Sequence, residues 1–254
     1  MAYQVKRLGW LPDLPDARDH HYAAPLMALQ KLAARVDLTS HCPHVYDQGE
    51  LGSCTGNAIA GAIEFAEMKE KLPHPATPSR LFIYYNERVI EHTVPTDAGA
   101  MIRDGIKSVN KQGACREKTW PYDVAKFANK PPVSAYEEAT QHQVTSYQRI
   151  SRTLNQMKGC LASGYPFVFG FTVYTSFMSD TVAKSGKAPM PHHGESIEGG
   201  HAVVAVGYDD ADQRFIVRNS WGTGWGIKGY FTMPYAYLLE EDLADDFWTI
   251  RLTE

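Results

Sequence analysis

Residues 55–71 place apolar side chains at Ile59, Ala62, Ile63 and Ala66, close to a three-to-four spacing, and this predicts an amphipathic or buried helix. Pro73, Pro75 and Pro78 end it. Further helices are predicted over 79–91 (Phe82, Ile83, Tyr84, Tyr85), over 101–112 with Gly113 as the stop, and over 151–163 with Gly164 as the stop. Beyond Gly164 the period changes. Residues 166–174, 199–208, 214–217, 229–233 and 247–252 are short runs rich in β-branched and aromatic residues, and they read as strands. Helices precede strands, which predicts an α+β protein with a helical lobe over about 48–160 and a β-rich lobe over about 161–254.

Ahead of this domain (36–254) lies a stretch of another character. Residues 1–35 contain Leu11-Pro-Asp-Leu-Pro-Asp16 and a short helical pattern near 25–34, and residues 36–39 read as a strand entering the fold. Prolines at this density favour an extended strap along the surface. Two roles remain open for it: packing on the fold, or lying over a cleft as a short pro-segment.

The chemistry concentrates at three places. Ser53 stands where a helix cap would, so Cys54 falls at a helix N-terminus, where unpaired N–H groups and the macrodipole favour thiolate over thiol. His201 opens the strand 199–208, and Asn219 follows the next strand after a turn at 209–212. An antiparallel return brings imidazole and amide together. Cysteine, histidine and amide form a nucleophile, a base and an orienter. Gln48, on a glycine-flanked loop, offers an amide donor for an oxyanion, with the backbone N–H of Cys54 as the second.

Composition narrows the field. The chain has 254 residues, 44% hydrophobic, with net charge −4, which gives no electrostatic reason to expect nucleic acid. No run approaches a membrane span, and the first ten residues lack the apolar core of a secretory signal, so no membrane association is expected and the location stays open. Cys42, Cys115 and Cys160 read as buried thiols, scattered too widely for a zinc module or a dense disulfide framework. His20-His21 and His192-His193 read as solvated loop residues, Asp209, Asp210 and Asp212 as turn chemistry, and Glu240 to Asp242 with Asp245-Asp246 as a solvated charge run. No metal and no cofactor is expected.

Three motifs in order resemble the papain-like cysteine peptidases: Gln48-Gly-x-x-Gly-Ser-Cys54, His201-Ala-Val-x-x-Val-Gly-Tyr208 and Asn219-Ser-Trp-Gly-x-Gly-Trp-Gly226, with Trp120-Pro-Tyr122 as a further point of contact. Cys54 and His201 are 147 residues apart, within the family's spacing of about 130–150. The resemblance implies a two-lobe fold with a cleft between the lobes. Cys54 would be nucleophile, His201 base and then acid, Asn219 orienter and Gln48 oxyanion donor. Trp221 would shield the His201–Asn219 contact and Trp225 would support the core. Gly99, Ala100 and Met101, faced by Gly170, Gly199 and Gly200, would line the subsite for the second residue before the scissile bond, with small walls and an apolar floor.

Leu51 stands where the family has a disulfide cysteine, Thr55 stands where it has an aromatic residue, and the large helical pro-region has no counterpart, which marks a divergent, bacterial-looking member. The expected activity is that of a monomeric thiol endopeptidase acting on peptides or proteins through a thioester, with a hydrophobic preference at that second residue. A catalytically silent binding module on the same scaffold, and an amidase or acyltransferase with the same thiol chemistry, are the alternatives.

Overall fold

A computed structural model describes residues 7–71 and 75–252. In chain order the elements are β1 (Trp10–Leu11), β2 (His21–Tyr22), α1 (Leu26–Gln30), β3 (Arg35–Asp37), α2 (Cys54–Lys69), α3 (Arg80–Ile90), β4 (Ala100–Met101), α4 (Ile102–Gln112) and α5 (Val133–Ala139). They continue with β5 (Ser146–Ile150), α6 (Leu154–Ala162), β6 (Phe167–Tyr174), α7 (Asp180–Ser185), β7 (Ile197–Asp209), β8 (Arg214–Arg218), β9 (Tyr230–Pro234), α8 (Tyr235–Leu239) and β10 (Ala244–Arg251).

One eight-stranded sheet runs β2-β5-β10-β6-β7-β8-β9, with β3 added on β7. β6, β7, β8 and β9 pair antiparallel in succession. β6 and β7 carry near-continuous apolar runs because both of their faces are covered. Phe167, Phe169, Phe171, Val203 and Ala205 face a core of aromatic rings that includes Trp225 and Phe231. Val168, Ala202, Val204 and Val206 face the opposite way, into a second core shared with Cys54, Ala58, Ile59, Ala62 and Ile63 of α2.

α2 is therefore the central helix, buried on almost every side. Its small residues permit the close packing: a Cβ on Gly56 would stand 2.8 Å from the Arg80 carbonyl oxygen. α3 and α4 pack beside it and complete the helical lobe. Gly113 closes α4 at φ +78°, a left-handed conformation natural to glycine.

The predicted helices and strands are present with ends moved by a few residues. Pro73 lies outside the described residues. β1, β2, β4, β5, α5, α7 and α8 were not expected. β5 joins the sheet although it precedes α6, so the order of helices and strands is less strict than the periodicity implied.

Candidate active site

His201 sits near the start of β7, and Asn219 follows β8. The antiparallel pairing of the two strands closes the distance, leaving His201 Nε2 2.8 Å from Asn219 Oδ1. The Asn219 oxygen also accepts from the Ser220 N–H at 2.8 Å, which fixes the amide. Trp221 stacks on the imidazole at 4.6 Å between centroids, and Trp225 meets Trp221 edge-on at 5.1 Å. The other ring nitrogen, Nδ1, is buried without a hydrogen-bond partner.

Cys54 is the first residue of α2 and is 0% exposed. Ser53 occupies the N-cap position, but its side chain does not cap the helix. Its hydroxyl instead meets the Tyr122 hydroxyl and accepts from Asn57 Nδ2 at 3.1 Å. The Cys54 sulfur lies beside the backbone N–H groups of Ala202, which follows His201, and of Gly9, in the strap.

Burial pushes the Cys54 thiol up to about 12, outweighing those N–H donors, and burial pulls His201 down to about 4 against the opposing effect of Asn219. The helix N-terminus that favours a thiolate is in place, and burial works against it, disfavouring the charged form of the sulfur and of the imidazole alike.

Gln48 is buried. Its Oε1 accepts from Ser220 Oγ at 2.7 Å, and its Nε2 donates to the carbonyls of Leu51 at 2.9 Å and Arg7 at 3.0 Å. Tyr122 Oη donates to the Gln48 carbonyl at 2.8 Å, so the Trp120-Pro-Tyr122 loop holds both the Gln48 backbone and Ser53. Arg80 lies over the Tyr122 and Tyr46 rings at 4.1 and 4.8 Å.

The strap runs through the site instead of over the outer surface. Gly9 N–H donates to the Gly200 carbonyl at 2.9 Å, and Ala100 N–H donates to the Gly9 carbonyl at 2.8 Å. β1 then pairs parallel with β4, Trp10 opposite Ala100. The fit is tight: a Cβ on Gly9 would stand 1.9 Å from the Gly52 carbonyl oxygen, and one on Gly99 would stand 2.2 Å from the Gly9 oxygen. Leu8 packs against Gly199. The Trp10 ring lies across Gly170 and Gly200, where added Cβ atoms would stand 1.9 and 2.8 Å from it.

The structure thus gathers Gly99, Ala100, Met101, Gly170, Gly199 and Gly200 around residues 8–11. Where the resemblance implied an apolar floor, Trp10 Nε1 donates to Asp246 Oδ2 at 3.0 Å, so a carboxylate meets the edge of the indole. Asp246 was read as part of a solvated charge run, yet it is 1% exposed.

Other residues escaped the sequence reading. Asp97 accepts from Gly52 N–H at 3.1 Å and from Tyr84 Oη at 2.5 Å, and pairs with Arg7 at 2.8 Å. Only Trp-Pro-Tyr at 120–122 carried a signal. All four cysteines are free thiols, and no His/Cys/Asp/Glu cluster among the described residues is arranged to hold a metal. No helix among them is long and apolar enough to cross a membrane.

Comparisons agree with the fold. The papain family of cysteine proteases matches residues 32–239, and the chain belongs to that family. The structure of xylellain, a cysteine protease from Xylella fastidiosa, is similar at TM-score 0.93 and 44% identity, covering 99% of this chain and 100% of that one. An uncharacterized peptidase C1-like protein of Acanthamoeba polyphaga mimivirus is 52% identical over 81% of this chain and 68% of its own length. Cathepsin B-like CP3 of Giardia intestinalis is 30% identical over 75% of this chain and 64% of its own length, so the chain spans about two thirds of these relatives.

Proposed function

We propose that this chain hydrolyses peptide bonds inside polypeptides by thiol catalysis and is held latent by its own strap. Cys54 attacks the scissile carbonyl while His201 takes the thiol proton at Nδ1, the nitrogen not engaged by Asn219. Asn219 holds the ring, and Trp221 excludes water from that contact. Gln48 Nε2 and the Cys54 N–H receive the oxyanion. Collapse of the tetrahedral intermediate gives a thioester, His201 protonates the leaving amine, and water then releases the acid with His201 as base.

The observation that carries this reading is the 2.8 Å Nε2–Oδ1 contact, which leaves Nδ1 buried and unpaired in a cleft that also holds Cys54 at a helix N-terminus. Latency is supported by the strap. The Arg7 carbonyl accepts from the Gln48 amide, the Gly9 N–H lies near the sulfur, and Trp10–Leu11 pair with Ala100–Met101.

The two claims separate in one assay of fluorogenic peptide amides. Gly9→Ala, which cannot seat the strap, should hydrolyse them much faster than the parent, and Cys54→Ala in that background should be inactive. Turnover that survives Cys54→Ala would overturn the mechanism. Equal rates for the parent and Gly9→Ala would overturn the latency.

A further inference from the structure

The loop that carries Gln48 is held by side chains more than by backbone pairing. Residues 43–53 contain no helix or strand beyond a single bridge from Asp47 to Trp221. Their carbonyls need donors from elsewhere. An arginine, with five N–H groups in one rigid fork, can serve several at once.

Two arginines do so. Arg218 donates to the Pro43 and His44 carbonyls at 2.7 and 2.6 Å and lies over the Tyr46 ring at 4.8 Å, which fixes the start of the loop. Arg80, the first residue of α3, holds the part nearer Cys54. Its Nε donates to Glu117 Oε2 at 3.0 Å and its Nη2 to Oε1, a two-point pairing that sets the plane of the guanidinium against the Tyr122 and Tyr46 rings.

Arg80 Nη1 is thereby aimed at two acceptors, Asn57 Oδ1 at 3.1 Å and the Asp47 carbonyl at 3.2 Å. Asp47 precedes Gln48. Asn57, in the first turn of α2, donates through Nδ2 to the Ser53 carbonyl at 2.9 Å and to Ser53 Oγ at 3.1 Å, and Ser53 precedes Cys54. The contacts of one nitrogen reach, directly or through Asn57, the residue before each candidate oxyanion donor. Every partner named lies outside residues 1–35, so the arrangement does not depend on the docked strap.

We propose that Arg80 is a positioning residue for the thiol reaction, setting the separation and aim of the Gln48 amide and the Cys54 N–H through the loop and Asn57. The inference rests on the peptidase reading above. Both donors act on the oxygen of the tetrahedral intermediate, and a displacement of about 1 Å there can cost roughly 100-fold in rate. Lysine keeps the charge but presents one ammonium, which cannot serve Glu117, Asn57 and Asp47 together.

The test uses the full chain carrying Gly9→Ala, with and without Arg80→Lys, and two reactions of the same sulfur. Alkylation by iodoacetamide needs the thiol and His201 but develops no oxyanion. Cleavage of fluorogenic peptide amides needs the oxyanion donors as well. Per titratable Cys54, Arg80→Lys should lower kcat by about 10–100-fold and leave KM and the alkylation rate within about twofold. A merely structural arginine would lower cleavage and alkylation in step, or lower neither, and either result would overturn the proposal. In a Gln48→Ala background the Arg80→Lys factor on kcat should shrink, because one of its targets is gone; equal factors would overturn it.

Glu117→Gln keeps the charge of Arg80 and both rings but loosens the fork, so it should show the same split at smaller size. If Arg80→Lys yields no folded protein, this variant carries the test alone. A further readout needs no turnover. In the otherwise unaltered chain, Arg80→Lys should speed amide exchange at residues 47–54 by at least about fivefold relative to β6, and unchanged exchange there would overturn the proposal. Absence of both labelling and cleavage in the Gly9→Ala chain itself would instead overturn the peptidase reading, and the exchange result still decides whether Arg80 holds the loop.

Discussion

Burial, more than any neighbouring charge, sets the state of Cys54 and His201. A sulfur at the N-terminus of a long helix ordinarily titrates low, yet here desolvation raises the thiol to about 12 and lowers the imidazole to about 4. Burial disfavours the ionised form of both groups, so admitting water to the cleft should favour ionisation. At Gln48, one amide serves as structural pin and candidate oxyanion donor. Gln48→Ala should lower kcat roughly 10²–10³-fold with a smaller change in KM. It should also cost about 1–3 kcal/mol of stability, because Ser220 Oγ loses its buried acceptor. Steady-state kinetics and a melting curve check the two effects separately. The candidate set of Cys54, His201, Asn219 and Gln48 was legible at this scale because each member sits in a motif whose neighbours enforce its place. Asp246 was not, since one left-handed residue inverted its side chain within a run of acids.

At the scale of elements, the strap is held by carboxylates as well as by backbone. Asp13 accepts from Arg103 N–H at 3.1 Å and from Trp248 Nε1 at 2.9 Å. Around it lie Asp246 and Arg149, with Asp19 and Asp245 bound to the same arginine. Burial, with Asp246 adding to it, raises the Asp13 carboxyl from 3.8 to about 7. A carboxyl whose bound value is raised takes up a proton on docking. Its contribution is therefore full below about 4 and is lost as pH climbs towards 7. Strap release should speed up across that window, and Asp13→Asn should flatten the slope by at least roughly tenfold in the ratio of rates at the two ends. Cys54 labelling rates of parent and variant at matched pH measure it, and parallel profiles would contradict it. The long elements were readable from period because α2, β6 and β7 are buried and their apolar runs are long. β5 has mostly half-buried residues and no clean alternation, and β1 is two residues whose partner, β4, lies ninety positions away. No local pattern encodes such a pairing.

Across the whole molecule, the strap joins both lobes: β1 pairs with β4 beside the helical lobe, Trp10 enters the pocket under β6 and β7, and β2 adds to the sheet at β5. Trp10 and Tyr22 are both buried, so the strap is core as well as cover. Packing on the fold is thus one role of the strap, and covering the cleft as a pro-segment is the proposed other. Shortening the chain to residue 36 should lower the melting temperature while unblocking the cleft. A single substitution at Gly9 should unblock it with most of that core kept. An α+β chain was legible from the order of helices and strands, and a papain-like cleft from the resemblance that three motifs carry. The path of the strap was not, because its prolines specify extension and not direction.

The most direct measurement is the rate at which an epoxide thiol inhibitor modifies the full-length protein, followed by intact mass and peptide mapping, for the parent, Gly9→Ala and Gly9→Ala with Cys54→Ala. A slow parent, a fast Gly9→Ala with one adduct on Cys54, and no adduct once Cys54 is removed are the predicted results. Equal rates in the first two, or an adduct on Cys42, Cys115 or Cys160 in place of Cys54, would contradict a latent thiol under the strap.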